Sequence, residues 1–400
     1  MNRRTMLSSF LTLGALTATG CGNFRLGSSG LPGSASAKPF KVLMVQDLSG
    51  ALASLGNAEV QGMKASASVI NSQGGILGRQ VQVDAVDDQA DPTKAVSLLT
   101  ERITSGDIPD VVQGGTGSNE TLAMLPIMTK NKIIYIGQNG ADKINNPQAY
   151  PYAFSVNLPS SATVEVVVKY CQKKGYQKVG LLANSSASGQ SELALFNTMF
   201  KSAGISITAQ NFESTSLDLT PQLEALKAQG PDVLVTDTAF GRPAFTLLQG
   251  RQKLGWNIPT VGDAALAAQD LAQSLGMDAL KNVYYAVFTV QKWVAPEQRT
   301  PAFNTFFDAL KQQGGIKTSV NVYSFSYDEL QVLSTAAKQA KSTEIPELAA
   351  ALESLHAPNP VPWVTFPRVI FSKNDHFNSI PPDEAQIVIP AGPIIDGMFK

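Results

Sequence analysis

The sequence contains very little histidine and cysteine. Its 400 residues include two histidines, His356 and His376, and two cysteines, Cys21 and Cys171. Neither histidine has a second histidine or a cysteine at metal-ligand spacing, so no zinc site is expected. A hydrolytic triad would need one of these histidines, and no nucleophile elbow is present to support it. We therefore expect neither a metal centre nor an enzyme.

An excess of charge and the motifs of nucleotide-binding proteins are also missing. Lys and Arg number 31 and Asp and Glu 32, which gives a formal net charge of −1. This balance provides neither a basic patch for nucleic acid nor a polybasic segment for a membrane surface. The chain has no GxxxxGKS/T sequence and no GxGxxG that follows a strand, so no nucleotide cofactor is expected. With 44% hydrophobic residues, a chain of this length can form about two packed domains.

An apolar segment near the N-terminus, 7–16, follows paired arginines and precedes a few small residues. This pattern predicts a signal peptide over residues 1–20, because the segment is too short to span a bilayer comfortably. The alternative is an N-terminal transmembrane anchor. The residues before Cys21 resemble a bacterial lipobox, which implies cleavage there and a lipid on the sulfur, although Ala18 stands where leucine is usual. The arginines suit both the twin-arginine and the general export route.

Residues 21–38 are rich in glycine and serine and are predicted to form a flexible tether between the lipid and the folded part of the chain. If Cys21 carries a lipid, Cys171 has no intrachain partner, so packing must stabilise the fold. Cys171 lies in the amphipathic run 161–174. A packed thiol is therefore favoured over a nucleophile.

Two successive blocks of the sequence alternate short apolar strands with amphipathic helices, and the second block starts after a seam near 155–159. This order favours parallel sheets with right-handed crossovers. We therefore predict an α/β protein of two doubly wound parallel-sheet lobes, with a β-rich tail over 363–371. The other predicted strands are 40–46, 81–86, 110–113, 132–137, 178–183, 206–212, 232–236, 260–262 and 283–290.

A glycine-rich turn, 114–117, lies between the predicted strand 110–113 and a helix for which Ser118 or Asn119 is the predicted N-cap. Glycines let a ligand approach the backbone, and the N-terminus of a helix favours a polar or anionic group. In open α/β sheets, ligands bind outside the carboxyl ends of the strands. The turn is therefore a candidate small-molecule site, and the alternative is an ordinary strand-to-helix connection.

Two acids, Asp237 and Asp263, directly follow predicted strands of the second block. Two carboxylates at the edge of a cleft suit a cationic ligand group such as an ammonium. The alternative is that they cap helices or stabilise turns, or pair with Arg242 or Arg251. For Asp91, which precedes a proline, an N-cap is favoured over a place in a carboxylate cluster.

Motifs from about residue 40 to the C-terminus resemble the leucine/isoleucine/valine-type substrate-binding proteins of bacterial ABC transporters. The resemblance implies the type I periplasmic-binding fold, whose lobes are joined by three crossing strands. Here the crossings fall near 155–157, 287–289 and 363–366. The first lobe would comprise 39–156 and 288–362, and the second 157–287 and 363–400. The motifs are 71–79 (NSQGGILGR), 87–88 (DD), 91–92 (DP), 121–126 (TLAMLP) and 174–179 (KGYQKV).

The resemblance also implies a set of ligand-binding residues. A first-lobe turn that contacts an amino acid's carboxylate falls on Thr116, Gly117 and Ser118. A second contact loop falls on Gln138, Asn139, Gly140 and Ala141, where the usual threonine is missing. The acid that takes the ammonium falls on Asp263, while Asp237 is an additional acid. Two aromatic contacts of the family are replaced, one by Ser188 and one by Leu55.

We therefore expect an exported, lipid-anchored, monomeric receptor in the periplasm. It would bind an amino acid or a related small polar solute between its lobes and deliver it to ABC permease subunits. One alternative is a sensory ligand receptor of the same fold, which the sequence does not distinguish. The other is an extracytoplasmic hydrolase, which would need an activated nucleophile that the sequence does not show.

Overall fold

The computed structural model describes residues 38–50, 52–185, 187–213, 215–237, 239 and 241–400, with the side chains of 187 and 188 excepted. The predicted signal peptide, Cys21 and all but the last residue of the predicted tether lie outside these ranges. Within them, no helix combines the length and the apolar character that crossing a membrane requires.

The elements follow one another in the alternation that the sequence predicts. The strands are β1 (Phe40–Gln46), β2 (Val81–Asp87), β3 (Val111–Gly114), β4 (Ile134–Gly137), β5 (Ala153–Ser155), β6 (Lys178–Asn184), β7 (Ser206–Phe212), β8 (Val233–Thr236), β9 (Thr260–Gly262), β10 (Val283–Phe288), β11 (Gln386–Pro390), β12 (Ile394–Ile395) and β13 (Met398–Phe399). The helices are α1 (Ala53–Ser72), α2 (Pro92–Thr104), α3 (Ser118–Lys130), α4 (Ser160–Lys174), α5 (Ala187–Ser202), α6 (Thr220–Ala228), α7 (Arg242–Lys253), α8 (Leu271–Leu275), α9 (Pro301–Gln312), α10 (Val320–Ala340), α11 (Ile345–Glu353) and α12 (Pro382–Ala385).

Two sheets organise the fold. The first has the strand order β2-β1-β3-β4-β5, and all its strands are parallel. The second has the order β11-β10-β9-β8-β6-β7 and is parallel except for β11, which runs antiparallel to β10. Because both sheets alternate with helices along the chain, the predicted α/β class with parallel-sheet lobes is confirmed. We call the first sheet with α1–α3 and α9–α11 the first lobe, and the second sheet with α4–α8 the second lobe.

The central strands β3, β4, β8 and β9 are fully buried and rich in apolar residues, whereas the edge strands β2 and β7 are partly exposed and carry polar residues. Helices α1 and α10 pack closely on the first sheet. Cys171 on α4 is fully buried, and burial raises the pKa of its thiol to about 12. A thiol in such surroundings is unreactive, so the prediction of a packed cysteine is confirmed.

The C-terminal crossing differs from the expected one. Trp363 and Phe366 are buried in the core of the first lobe, and the segment 363–371 contains no strand. The Asp328 carboxylate on α10 accepts hydrogen bonds from the backbone N–H groups of Val364 and Thr365, both over 2.7 Å, and so holds this segment on the first lobe. The predicted crossing at 363–366 and the predicted β-rich tail are therefore wrong. After this segment, the chain returns to the second sheet at β11.

Candidate ligand-binding site

The glycine-rich turn lies between β3 and α3. Gly115 has a φ of +78°, and a Cβ there would lie 2.4 Å from Oγ1 of Thr121, so only glycine fits. Gly117 is the N-cap of α3, with a φ of −106°, and Ser118 is the first helical residue. The predicted N-cap at Ser118 or Asn119 is therefore wrong, because the extended backbone ends one residue earlier.

Asn139, in the loop after β4, connects the two candidate loops of the first lobe. Its Nδ2 donates to the carbonyl oxygen of Gly115 over 2.8 Å and to Oγ1 of Thr121 over 2.7 Å. Oγ of Ser118 donates to Oδ1 of Asn139 over 3.3 Å. The two loops therefore form one hydrogen-bonded unit at the carboxyl ends of β3 and β4, where ligands of open α/β sheets bind.

Gly140 and Ala141 continue this loop toward the second lobe. Ser160, the first residue of α4, donates from its N–H and from its Oγ to the carbonyl oxygen of Gly140, each over 3.2 Å. A Cβ at Gly140 would lie 3.3 Å from the carbonyl oxygen of Leu158, so a larger residue would crowd this contact. Ala141 is partly buried and precedes the 3₁₀ turn Asp142–Ile144. The loop therefore contacts the second lobe through its backbone.

The first-lobe side of the site is acidic. Glu120 is 4% exposed, and a Cβ at Gly117 would lie 2.6 Å from its Oε2, so this carboxyl group lies beside the start of α3. Burial raises the pKa of Asp88 to about 6, and the charges of Glu120 and Asp47 add to the rise. Oγ1 of Thr116 accepts from the N–H of Asp47 over 3.0 Å. Because the positive end of α3 already faces a carboxyl group, its attraction for an anionic ligand group is weakened.

The second-lobe side contains three acids in one cluster. Asp237 follows β8, Asp263 follows β9 and Glu192 lies on α5, and their carboxyl oxygens lie within 4.8 Å of one another. The sequence predicted the first two and missed Glu192. The order of the second sheet explains its position, because β6 neighbours β8 and the helix after β6 starts beside the end of β8.

The three acids differ in their local contacts. Glu192 hydrogen-bonds to Asp237 and to Ser160; burial raises the pKa of Glu192, and the charge of Asp263 adds to the rise. Asp237 is 2% exposed. Oδ1 of Asp263 accepts from the N–H groups of residues 265 and 266 over 3.2 and 3.3 Å, so this side chain both stabilises a turn and belongs to the cluster. Three carboxyl groups at this spacing suit an ammonium or a guanidinium group.

A cavity of about 630 Å³ has walls from both lobes, but its lining includes neither the three acids nor the turn 116–118 nor the loop 138–141. Leu55 forms part of its wall, and the next residue, Gly56, packs so closely that a Cβ there would lie 3.0 Å from Oγ1 of Thr116. Ser188 lies in the first turn of α5, but its side chain is outside the described residues. The cavity is lined by Ser54, Leu55, Phe307, Lys311, Ile316, Lys317 and Thr318 from the first lobe, by residues 268–270, 273 and 274 from the second, and by Ile394, Asp396 and Gly397.

Comparison with known proteins agrees with this architecture. The family described as periplasmic binding protein matches residues 39–381. The Leu/Ile/Val-binding protein homolog 7 of Brucella abortus (strain 2308) is 23% identical over 324 residues, which cover 77% of this chain and 79% of that protein.

Solved structures show the same fold. The branched-chain amino acid transporter substrate-binding protein LivJ of Streptococcus pneumoniae, in complex with isoleucine, superposes with a TM-score of 0.70 at 20% identity and covers 88% of this chain and 99% of its own. A solute-binding protein of an ABC transporter from R. palustris, in complex with 4-hydroxybenzoate, gives a TM-score of 0.73 at 16% identity and covers 90% and 95%.

The matched residues include the whole first sheet, strands β6–β10 of the second sheet and every loop of the candidate site. Its members and the structural neighbours are solute-binding proteins and not enzymes, in agreement with the absence of an activated nucleophile from the sequence. This chain belongs to the periplasmic binding protein family.

Proposed function

We propose that this protein is the extracytoplasmic solute-binding component of an ABC importer, and that its solute is a small polar molecule with an ammonium or guanidinium group. An amino acid or a related amine fits this description. The observation that carries the proposal is the cluster of Glu192, Asp237 and Asp263 at the strand ends of the second lobe. It faces the loops of the first lobe through Ser160.

The two structural neighbours bind different ligands: one is in complex with isoleucine and the other with 4-hydroxybenzoate. An aromatic acid would bring a carboxylate toward Glu192, Asp237, Asp263 and Glu120, where like charges repel. A molecule with a cationic group would instead gain charge-assisted hydrogen bonds. The charges around the site therefore favour an amine over a simple acid.

The lobes would close on the solute about three connections. The first follows β5, the second follows β10, and the third lies between 381 and 386, where the chain leaves the core of the first lobe and enters β11. A solute that contacts both lobes only when they are closed shifts the population toward that form, which would then dock on the permease subunits. We further propose that the protein is exported to the periplasm, carries a lipid on Cys21 and is monomeric.

A thermal-shift screen tests the proposal, because a solute that binds the folded state raises the melting temperature. The panel contains amino acids, polyamines, the corresponding uncharged amides and aromatic acids. We expect stabilisation by one or more amines and none by the matched amides. Stabilisation by aromatic acids alone would contradict the proposed solute class, and release of a modified product would contradict a transport role.

The lipid anchor has its own test. Metabolic labelling with a fatty acid should mark the protein in a bacterial host, and the Cys21→Ser variant should lose the label and leave the membrane fraction. A labelled Cys21→Ser variant would show that the anchor lies elsewhere.

A further inference from the structure

Two paths of hydrogen-bonded side chains lead from the candidate loops of the first lobe to one buried carboxyl group. Glu59 lies on α1 and is 2% exposed. Nε2 of Gln138 donates to Oε1 of Glu59 over 2.5 Å, and Nε2 of Gln113 donates to Oε2 over 3.4 Å. The first path is short, because Gln138 itself belongs to the loop after β4 that contains Asn139.

The second path reaches the glycine-rich turn. Nε2 of Gln46 donates to Oε1 of Gln113, and Oγ1 of Thr116 donates to Oε1 of Gln46 over 2.5 Å. Every hydrogen bond on this path points toward Glu59, because an ionised carboxylate can only accept. The hydroxyl hydrogen of Thr116 is therefore used in the bond to Gln46, and Oγ1 also accepts a hydrogen bond from the N–H of Asp47. Oγ1 of Thr116 can then act toward a ligand only as an acceptor, through its second lone pair.

A proton on Glu59 would reverse this path. The carboxyl O–H would then donate to Gln113, each amide along the path would turn over, and Gln46 would donate to Oγ1 of Thr116. Thr116 would be left with a hydroxyl hydrogen that points away from the path. The ligand would meet a donor in place of an acceptor, which is a change in specificity.

The surroundings of Glu59 make both forms accessible. Burial raises the pKa of Glu59 to about 8, even though the bonds from Gln113 and Gln138 favour the ionised form. Asp88, after β2, faces it with a like charge, and so does Glu329 on α10. Gln113, which donates to Glu59, also favours the ionised form of Glu329, but burial raises the pKa of Glu329 well above its ordinary value.

Two further groups lie on the elements packed against this pair. Asp328 is next to Glu329 on α10, and burial raises its pKa to about 7. Tyr135 on β4 also lies in the field of Glu59 and Glu329, and burial raises its pKa beyond the physiological range. Since all of these neighbours are acids or a phenol, none provides a cation that would lock Glu59 in its ionised form.

We propose that Glu59 is a positioning residue of the ligand site, whose protonation state sets the direction of the hydrogen bonds that reach Thr116, while its other carboxyl oxygen accepts from Gln138 in both states. The proposal rests on the proposed function only in taking Thr116 and Gln138 as parts of the ligand loops. It adds a specificity determinant beneath the cleft that touches no solute itself.

NMR spectroscopy of the purified protein, with no solute added, tests this directly. The side-chain amide signals of Gln46, Gln113 and Gln138 and the backbone amide signal of Asp47 are followed from pH 5.5 to 9.5. We expect one shared midpoint for all four. In Glu59→Gln, whose amide mimics the protonated acid, we expect the signals to stop titrating. They should stay close to the low-pH positions of the wild type.

The matched control is Glu329→Gln, a change of the same kind one helix away, in which the shared titration should persist. A titration that survives in Glu59→Gln, or glutamine signals that move while the amide of Asp47 does not, overturns the proposal. If Glu59→Gln does not fold, the wild-type titration decides alone, because four signals without a shared midpoint also overturn it. Since no solute is present, the result is independent of whether the solute screen succeeds.

Discussion

The backbone N–H of Ser160 donates to the carbonyl oxygen of Gly140 over 3.2 Å, so the first residue of α4 is bonded to a candidate ligand loop of the first lobe. The side-chain oxygen of Ser160 lies within hydrogen-bonding distance of the same carbonyl oxygen and of Glu192 in the acid cluster, and its single proton serves one of them at a time. One serine therefore lies between the two halves of the site. On one side of Ser160 lie the hydrogen-bonding groups of the first-lobe loops, and on the other side lie the carboxyl groups of the second lobe.

Asp263→Asn should weaken binding of the strongest amine from the screen by about 1–3 kcal/mol, because a charge-assisted hydrogen bond to the solute is lost. Ser118→Ala should weaken binding of the same amine by a similar amount, because the hydrogen bond from the Ser118 hydroxyl to the solute is lost. Isothermal titration calorimetry measures the affinity of both variants. Asp278→Asn is the control, because Asp278 is an exposed second-lobe acid paired with Lys281. Unchanged affinity in both site variants would remove these residues from the site.

Ser160→Ala should make binding of an amine more dependent on pH. The hydrogen bond from Ser160 lowers the pKa of Glu192, so its loss raises that pKa further. A larger fraction of Glu192 is then protonated at neutral pH, and binding of a cation should reach its full strength only at higher pH.

Affinities measured at several pH values for wild type, Ser160→Ala and Ser161→Ala test this prediction. Ser161 is the next residue of the same helical turn, so its variant controls for a change in α4 itself. The midpoint should move to higher pH in Ser160→Ala alone. A parallel loss of affinity at every pH would point to a structural role only.

Folding stability should decrease as the pH rises from about 5 to about 8. Burial raises the pKa of Glu59 from 4.5 to about 8 and that of Glu329 well above 4.5, so the folded state holds their protons more tightly than the unfolded chain. Their contribution is complete below the unfolded value, and it is lost as the pH rises through the folded value.

Melting temperatures at unit steps of pH measure this effect. Glu329→Gln removes one titrating group and should flatten the decrease, whereas Glu224→Gln, at an exposed position of α6, should not. A wild-type melting temperature that rises steadily from pH 5 to 8 would contradict the prediction.

Local patterns were sufficient to predict most of the secondary structure. The strand Phe40–Gln46 and the helix Pro92–Thr104 have the predicted bounds at both ends. The helix starts where predicted because Asp91 accepts from the N–H groups of Thr93 and Lys94, and such a cap is encoded within a few residues. The order of strands and helices along the chain also follows the predicted alternation.

Contacts between distant parts of the chain were not predictable in this way. The apolar run 363–371 has the composition of a strand, but a carboxylate on α10 takes the backbone donors that a neighbouring strand would have used. Glu192 joins Asp237 and Asp263 only because β6 lies beside β8 in the sheet. Likewise, nothing near Glu59 in the sequence indicates that it accepts from Gln113 and Gln138.

Gly62→Ala should destabilise the first lobe. A Cβ at Gly62 would lie 2.2 Å from the carbonyl oxygen of Tyr323, so α1 and α10 would have to move apart. Overpacking of this kind costs about 1–3 kcal/mol, which exceeds the gain of about 1 kcal/mol in helix propensity.

Gly250→Ala on α7 is the matched comparison. The new Cβ would be crowded there by the end of the Leu223 side chain, 2.7 Å away, which can rotate, and would lie at ordinary contact distance, 3.6 Å, from Oγ1 of Thr220. Its propensity gain should offset the crowding, so the free energy of unfolding should change little. Urea denaturation of both variants gives the two values. Equal free energies of unfolding for the two variants would show that the backbone contact at Gly62 does not set the spacing of α1 and α10. Since Glu59 also lies on α1, its distance from Gln113 and Gln138 would then have to be fixed by other contacts.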